Sequence, residues 1–262
     1  MRFSIITISF NSGQSIERTI KSVLAQTYKD YEYIIVDGAS KDGTLEIVKK
    51  YEPLFEGRLK WKSEPDKGIY NAMNKGIERA CGDVVGIVNS DDWLEPEALE
   101  RMNACWDAHQ HNENAIYCGG ILFHTLSGDI RKLDVSIDNF KRASRYYVVA
   151  GVRHPATFVP KSVYDAIGCF DERIKIAADS DFLLRCLFKG MGFIKIDGYL
   201  SNMSDGGFSN RTDVYQVAKN DRRIILKKNN VTGLKYAFQM AYWVIRKKTK
   251  ALLIKTNLFK TT

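Results

Sequence analysis

The feature that most constrains this chain is the alternation of strand and helix signals in its first third. Phe3–Phe10 is an apolar, β-rich run, after which Ile16, Ile20, Val23 and Leu24 recur at the spacing of an amphipathic helical stripe. Tyr31–Val36 reads as a second strand. Leu45–Tyr51 reads as a helix opened by the turn Lys41-Asp42-Gly43-Thr44, and Leu59–Lys62 as a short third strand. Ile69, Ala72, Met73, Gly76, Ile77 and Ala80 keep helical spacing, and a fourth strand, Val84–Val88, stops at Asn89-Ser90-Asp91-Asp92. Strands separated by single helices are βαβ units, which predict an α/β fold with a mainly parallel central sheet flanked by helices. Such sheets bind ligands outside the carboxyl ends of their strands. Asp37, Asp91 and Asp92 all fall at those ends.

The second half is less regular. Helices are predicted over Glu95–His109, Asn139–Arg145, Lys161–Ile167 and Ala178–Lys189, with a late strand at Phe193–Leu200. Ile116–Thr125 and Ile130–Val135 suit a hairpin turning at Ser127-Gly128-Asp129. Val214–Lys228 and Leu234–Lys248 read as tail helices. With no repeat, linker or low-complexity stretch, the reading is one domain over residues 1–210 and a C-terminal helical appendage over 211–262.

Composition narrows the class. At 262 residues, 45% hydrophobic and 27% charged, the chain can bury a full core, which excludes disorder and a disulfide miniprotein. No apolar run reaches the ~18 residues of a membrane-spanning helix. The opening segment reads as a strand rather than an export signal. The five cysteines form an odd set with no C-x-x-C pair, as expected of reduced thiols in the cytoplasm. The four histidines show no metal-ligand spacing. The net charge of +8 is unevenly placed: from Lys219 onward twelve Lys and Arg face one acid, Asp221, while the first 218 residues carry 27 basic and 30 acidic residues. A basic tail on a slightly acidic body points to a polyanionic partner, phospholipid or nucleic acid.

The chemistry concentrates at Asp91-Asp92. Adjacent carboxylates repel unless compensated, and a hard divalent cation shared with phosphate oxygens meets that need. The structural alternative is that one of them caps the helix beginning near Glu95. Lys67 opens a helix, where a lysine and the helix dipole together suit a phosphate; a solvated surface lysine is the alternative. Asp66 suits a helix cap and Asp42-Gly43-Thr44 a turn. In Ala177-Ala-Asp179-Ser-Asp181-Phe-Leu-Leu-Arg185, Asp181 is placed for an i, i+4 ion pair with Arg185 on the exposed face. Asp179 precedes Phe182 and Leu183 by three and four residues, which turns it inward as a candidate base. His154 is a candidate structural histidine, and Gly206-Gly207 a flexible loop.

These motifs occur in a fixed order: Ile6-Thr-Ile-Ser-Phe-Asn11, Val36-Asp-Gly-Ala-Ser-Lys-Asp-Gly-Thr44, Glu64-Pro-Asp-Lys-Gly-Ile-Tyr-Asn-Ala-Met-Asn-Lys-Gly-Ile77, the acidic pair and the Asp179 segment. The set resembles family 2 glycosyltransferases of the GT-A fold, above all the bacterial branch that builds exopolysaccharide and O-antigen. The resemblance implies a nucleotide-sugar-binding half at 1–110 and an acceptor-side half at 111–210. Ser9, Asn11, Asp37, Lys67 and Asp91 would bind the nucleotide-sugar. Asp37 would take the base contact, because Gly38 stands where the family often has a second acid. Asp92 would hold Mn²⁺ or Mg²⁺, and Asp179 would be the base. His154, Gly206 and Gly207 would lie on the acceptor side. The family's late metal-contacting histidine has no counterpart after His154.

The resemblance further implies inverting transfer from a UDP-sugar, before a GDP-sugar, to a glycan acceptor, lipid-linked, with no nucleic-acid partner. Rival readings fit less well. A sugar-1-phosphate nucleotidyltransferase wants a basic glycine-rich loop after strand one, and Ile8-Ser-Phe-Asn-Ser-Gly13 has no basic residue. A non-enzymatic binding module acting through the tail leaves Asp91, Asp92 and Asp179 without a role. The aromatic run Tyr236–Ile245 followed by Arg246-Lys-Lys-Thr-Lys250 suits a helix lying on an anionic leaflet, hence the inner face of the cell membrane. The alternative is a helix packed on the body.

Overall fold

Parallel pairing begins where the alternation begins. The computed structural model describes residues 2–205 and 214–255. Strand β1 (Phe3–Ser9) lies between β2 (Tyr31–Asp37) and β4 (Val84–Ile87), and β3 (Leu59–Ser63) lies outside β2, all four parallel. They are joined through helices α1 (Ile16–Leu24), α2 (Thr44–Tyr51) and α3 (Ile69–Arg79). β1 and β2 are buried along their whole length, as strands covered on both faces must be. Alternate side chains feed two apolar layers. Ile6, Ile34 and Ile87 pack with Met73 and Ile77 of α3, while Ile5, Tyr33 and Ile35 pack with Ile16 and Ile20 of α1.

The sheet then continues in the order β3-β2-β1-β4-β8-β6-β9-β5. β6 (Ala115–His124) forms the expected hairpin with β7 (Ile130–Leu133). β5 (Trp93–Leu94) and β8 (Thr157–Pro160) were not expected from the sequence. Both are too short for periodicity to show, and both pair antiparallel, with β9 and with β4 and β6 respectively. β9 (Gly192–Ser204) runs past its predicted end because polar Ser201 and Asn202 hide a buried segment. β6 and β9 run parallel to β4, so their carboxyl ends arrive at the same sheet edge as those of β1 to β4. Helices α4 (Ala98–Ala108), α5 (Ile137–Ser144), α6 (Lys161–Ile167) and α7 (Ala178–Phe188) complete the body.

The boundary expected at 210/211 falls among residues outside those described, but the helices beyond it are tied to the body. In α8 (Tyr215–Lys228) the buried Asp221 accepts the N–H groups of Lys175 at 2.9 Å and Ile176 at 2.7 Å, just before α7. Arg222, also buried, donates to the carbonyls of Tyr146 and Tyr147 and to Gln239 of α9 (Gly233–Lys255). Tyr242 stacks on Tyr146 with centroids 4.4 Å apart, and Trp243 is buried. One face of α9 therefore packs on the body. Asp181 makes its i, i+4 pair with Arg185 at 2.9 Å, but not on an exposed face as expected. Lys228 reaches it from α8 at 2.8 Å and closes it from solvent.

Removing the Asp221 carboxylate would leave two backbone donors without their acceptor. Asp221→Ala is expected to destabilise the fold by about 1–3 kcal/mol. Urea unfolding followed by tryptophan fluorescence checks this, and an unchanged midpoint would dismiss the role.

Candidate functional site

The carboxyl ends of β1, β2 and β3 are fastened by one buried carboxylate. Asp37 accepts Ser9 Oγ at 2.9 Å, Ser40 Oγ at 2.5 Å, Ser40 N at 2.9 Å and Ser63 Oγ at 2.6 Å. Burial works against its charge, but these four hydrogen bonds outweigh it and hold the acid below its ordinary pKa. A carboxylate offers about four acceptor positions, so none is left for a ligand. The expected direct contact between the Asp37 side chain and a nucleotide is thus revised to a supporting one: Asp37 shapes the loop. Ser9 is buried with its hydroxyl committed to Asp37. Asn11 is exposed, sits at φ 50° and accepts Lys41 N through Oδ1 at 2.9 Å. Asp42 accepts Gly13 N and Thr44 N, the turn chemistry its sequence suggested.

The acidic pair follows β4. Neither acid caps a helix: β5 intervenes, and α4 begins only at Ala98 after Glu97. Asp92 is 2% exposed and accepts Asn89 Nδ2 at 3.2 Å and Ser204 N at 3.3 Å, the second from the end of β9. Burial, then the charge of Asp91, pushes its pKa up to about 7. Asp91 is half-buried, with no hydrogen bond to its carboxylate among the described residues. Arg18 stacks over Trp93 at 3.6 Å and donates to the Asp91 carbonyl and Ser204 Oγ, a role the sequence did not reveal. Asn89 Oδ1 is buried with no partner. Hard oxygen donors in an undercompensated acidic pocket suit Mg²⁺ or Mn²⁺ bound jointly with phosphates. Among the described residues no three His, Cys, Asp or Glu converge as a complete protein cage.

Asp179 stands in the first turn of α7, half-buried, and Tyr70 Oη donates to its Oδ1 at 3.2 Å. Tyr70 lies in the first turn of α3, so this bond ties the start of α7 to the carboxyl edge of the sheet. The phenol is buried, and desolvation raises its pKa well above 10, keeping it a donor. His154 sits beside this pair, 5.9 Å from the Phe170 ring. Burial lowers its pKa against the opposing pull of Asp179. Lys67 is exposed just before α3. Asp66 is not the helix cap expected of it: its Oδ1 accepts the N–H of Gly68, the residue preceding the helix, at 2.8 Å. Gly206 and Gly207 lie outside the described residues.

Comparison with known proteins gives the family and the fold. The sequence profile of glycosyl transferase family 2 matches residues 4–167. A PGL/p-HBAD biosynthesis glycosyltransferase of Mycobacterium bovis is 30% identical over 188 residues, covering 70% of this chain and 69% of that protein. The crystal structure of S. aureus TarS 1–349 in complex with UDP-GlcNAc superposes with a TM-score of 0.66 at 23% identity, covering 91% of this chain and 69% of that one. A structure of GalNAc-T7 with UDP, GalNAc and Mn²⁺ gives 0.65 at 14% identity, over 90% and 49%. The two structural likenesses concern the fold, which is the expected GT-A arrangement.

The acidic pair carries a stability cost with a definite sign. The folded chain holds the Asp92 proton up to about pH 7, the unfolded chain only to about 4, so stability falls as pH rises through that window. Without metal, Asp92→Asn is expected to melt higher than wild type near pH 8, by about 2–4 °C per kcal/mol relieved, the gap closing toward pH 4. Scanning calorimetry in chelator across that range reads it.

Proposed function

Because this chain belongs to glycosyl transferase family 2, we propose that it is an inverting transferase moving one sugar from a UDP-sugar to a glycan acceptor carried on a lipid, in cell-surface polysaccharide assembly. The observation that carries this is Asp92, a buried carboxylate set beside a second acid at the carboxyl end of β4, short of positive charge until a ligand supplies it. Asp92, with Asp91 beside it, would hold Mn²⁺ or Mg²⁺. When bound, the cation neutralises charge on the departing diphosphate. The UDP and Mn²⁺ in the structures of similar fold support that choice of donor and ion.

The protein's own groups do the rest. Asp179 accepts the proton of the acceptor hydroxyl. The freed oxygen attacks the anomeric carbon from the side opposite the diphosphate, whose bond to that carbon breaks, so one displacement inverts the centre. Tyr70 fixes the base by occupying Oδ1, which leaves Oδ2 for the acceptor. Lys67 at the mouth of α3 adds positive charge for the phosphates, Asp91 faces the ribose or sugar, and Ser9 and Asn11 line the nucleotide side through backbone. His154 lies toward the acceptor. Gly206 and Gly207, outside the described residues, are assigned to the acceptor by the family resemblance alone.

The tail suits the proposed acceptor. No described helix is long and apolar enough to cross a membrane. On the face of α9 turned from the body, Leu234 (91%), Phe238 (58%) and Ile245 (64%) are exposed, and at about 100° per residue they form one narrow stripe. Lys235 and Arg246 border it, and Lys247, Lys248 and Lys250 come next in the sequence. A bare apolar stripe with basic flanks fits peripheral binding to an anionic inner leaflet.

Thermal shift with UDP and UDP-sugars, with and without Mn²⁺, tests the donor site. Metal-dependent stabilisation by UDP, lost in Asp92→Ala, is expected, and no shift with any nucleotide would sink the assignment. Asp179→Asn is expected to lower kcat by about 10²–10⁴-fold with UDP affinity retained; a variant with full kcat excludes Asp179 as base. Leu234→Glu/Phe238→Glu should abolish sedimentation with phosphatidylglycerol vesicles while leaving nucleotide binding intact.

A further inference from the structure

Helices α8 and α9 do not close on each other completely. Between them runs a groove of about 400 Å³, within the range of pockets that hold one small ligand. Its two walls differ in kind. From α8 come Lys219 and Arg223, four residues apart and so on one face of the helix. The α9 wall is largely apolar, with Met240, Ala241, Val244 and Ile245. The two cations lack compensation. The only acid of α8, Asp221, is buried and spent on the N–H groups of Lys175 and Ile176, and α9 has no acid along its length. Neither Lys219 nor Arg223 forms an ion pair among the described residues. Ile245 also belongs to the exposed stripe of α9, so the groove opens onto the apolar face proposed to meet the leaflet.

Two neighbouring cations beside an apolar wall, open to a membrane, suit an anionic head on a hydrocarbon chain. We propose that this groove holds the lipid of the acceptor, with its phosphate groups on Lys219 and Arg223 and the first part of a single chain along Met240, Val244 and Ile245. The proposal rests on the reading of a transferase with a lipid-carried acceptor, and gives that acceptor a point of attachment besides its sugar. Charge selects among lipids. A phosphate monoester or a diphosphate carries about two negative charges, which match two cations, while the phosphodiester of a phospholipid carries about one. Width selects in the same sense, because a trough between two helices takes one chain and a phospholipid has two. A second copy of this chain is a poor occupant, since its own α9 would bring only more positive charge. Lys219 and Arg223 also bracket Asp221 and Arg222, which hold the backbone ahead of α7 and the turn after α5. A lipid seated here is therefore gripped by the helix that supports the Asp179 segment.

The test is calorimetric titration of the full chain with decyl phosphate below its micelle concentration, near pH 8 and free of nucleotide and divalent metal. Inorganic phosphate and monomeric dihexanoyl-phosphatidylglycerol are titrated beside it. Decyl phosphate is expected to saturate at one per chain and to bind roughly tenfold tighter than either. Lys219→Gln/Arg223→Gln should weaken it by about tenfold or more. Ala241→Trp, which fills the groove and keeps both cations, should do the same. Unfolding midpoints of both variants should stay at the wild-type value, which separates loss of the site from loss of the fold. Undiminished binding in the two variants overturns the proposal. Equal or tighter binding of dihexanoyl-phosphatidylglycerol overturns it in favour of bulk phospholipid. A dimer in sedimentation equilibrium that Ala241→Trp dissolves overturns it in favour of a second copy. No arm involves nucleotide, so the groove can fail while the transferase reading stands. That reading fails separately, when no nucleotide shifts the melting point, and takes the acceptor role of the groove with it.

Discussion

Four parallel strands that end side by side leave a row of carbonyls and loops that must be held without a covering element, and in this chain Asp37 does the holding. It gathers donors from the ends of β1 and β3 and from its own turn onto one buried carboxylate. Hydrogen bonds to a charged acceptor in a water-poor site are strong and directional. The loops after β1 and β2 therefore enter the site in one arrangement: Ala39 and Asn11 both take left-handed backbone conformations there, and Asn11 N donates to Ser40 Oγ at 2.8 Å. A charge that looks like a ligand contact in the sequence acts here as the internal fastening of the pocket.

Asp92 shows the opposite use of a buried acid. Asp37 has a full set of donors, whereas Asp92 has two longer hydrogen bonds and an acidic neighbour. Two aspartates at the same edge of one sheet thus sit on opposite sides of their ordinary acidity. Satisfaction by the protein stabilises the first; the second is left short of donors. The positive group that acts on Asp92, Arg18, is turned to a carbonyl, a hydroxyl and the Trp93 ring, so it moderates the field without filling the site.

The first half of the fold was legible because its strands are apolar from end to end and its helices carry long stripes, so period and position agree. β5 and β8 escaped because two and four residues hold no period, and the tail of β9 because Ser201 and Asn202 are buried polar residues. Among the candidate residues, the inward turn of Asp179 was legible from its spacing to Phe182 and Leu183. Asp37 was legible in place but not in use, since nothing in a linear motif reveals that Ser9, Ser40 and Ser63 converge on it. Tyr70 and Arg18 were missed because each sits in a helix where an aromatic or a cation has an ordinary structural reading. The burial of Asp181 was hidden for a plainer reason: its second partner, Lys228, lies on another helix far along the chain.

Helix α8 has a consequence for how the chain can be divided. Asp221 holds the backbone directly ahead of α7, and Arg222 links Tyr146 and Tyr147 to Gln239 of α9. The helix that by composition begins a basic tail is by contact a strut beneath the segment bearing Asp179. A cut placed where the charge changes would take away that strut. The natural seam lies later, at the turn Asn229–Gly233, where the connection between the two helices relaxes through left-handed Asn230 and Gly233. Chimeras joined at that turn would exchange the outer helix and keep the support beneath α7.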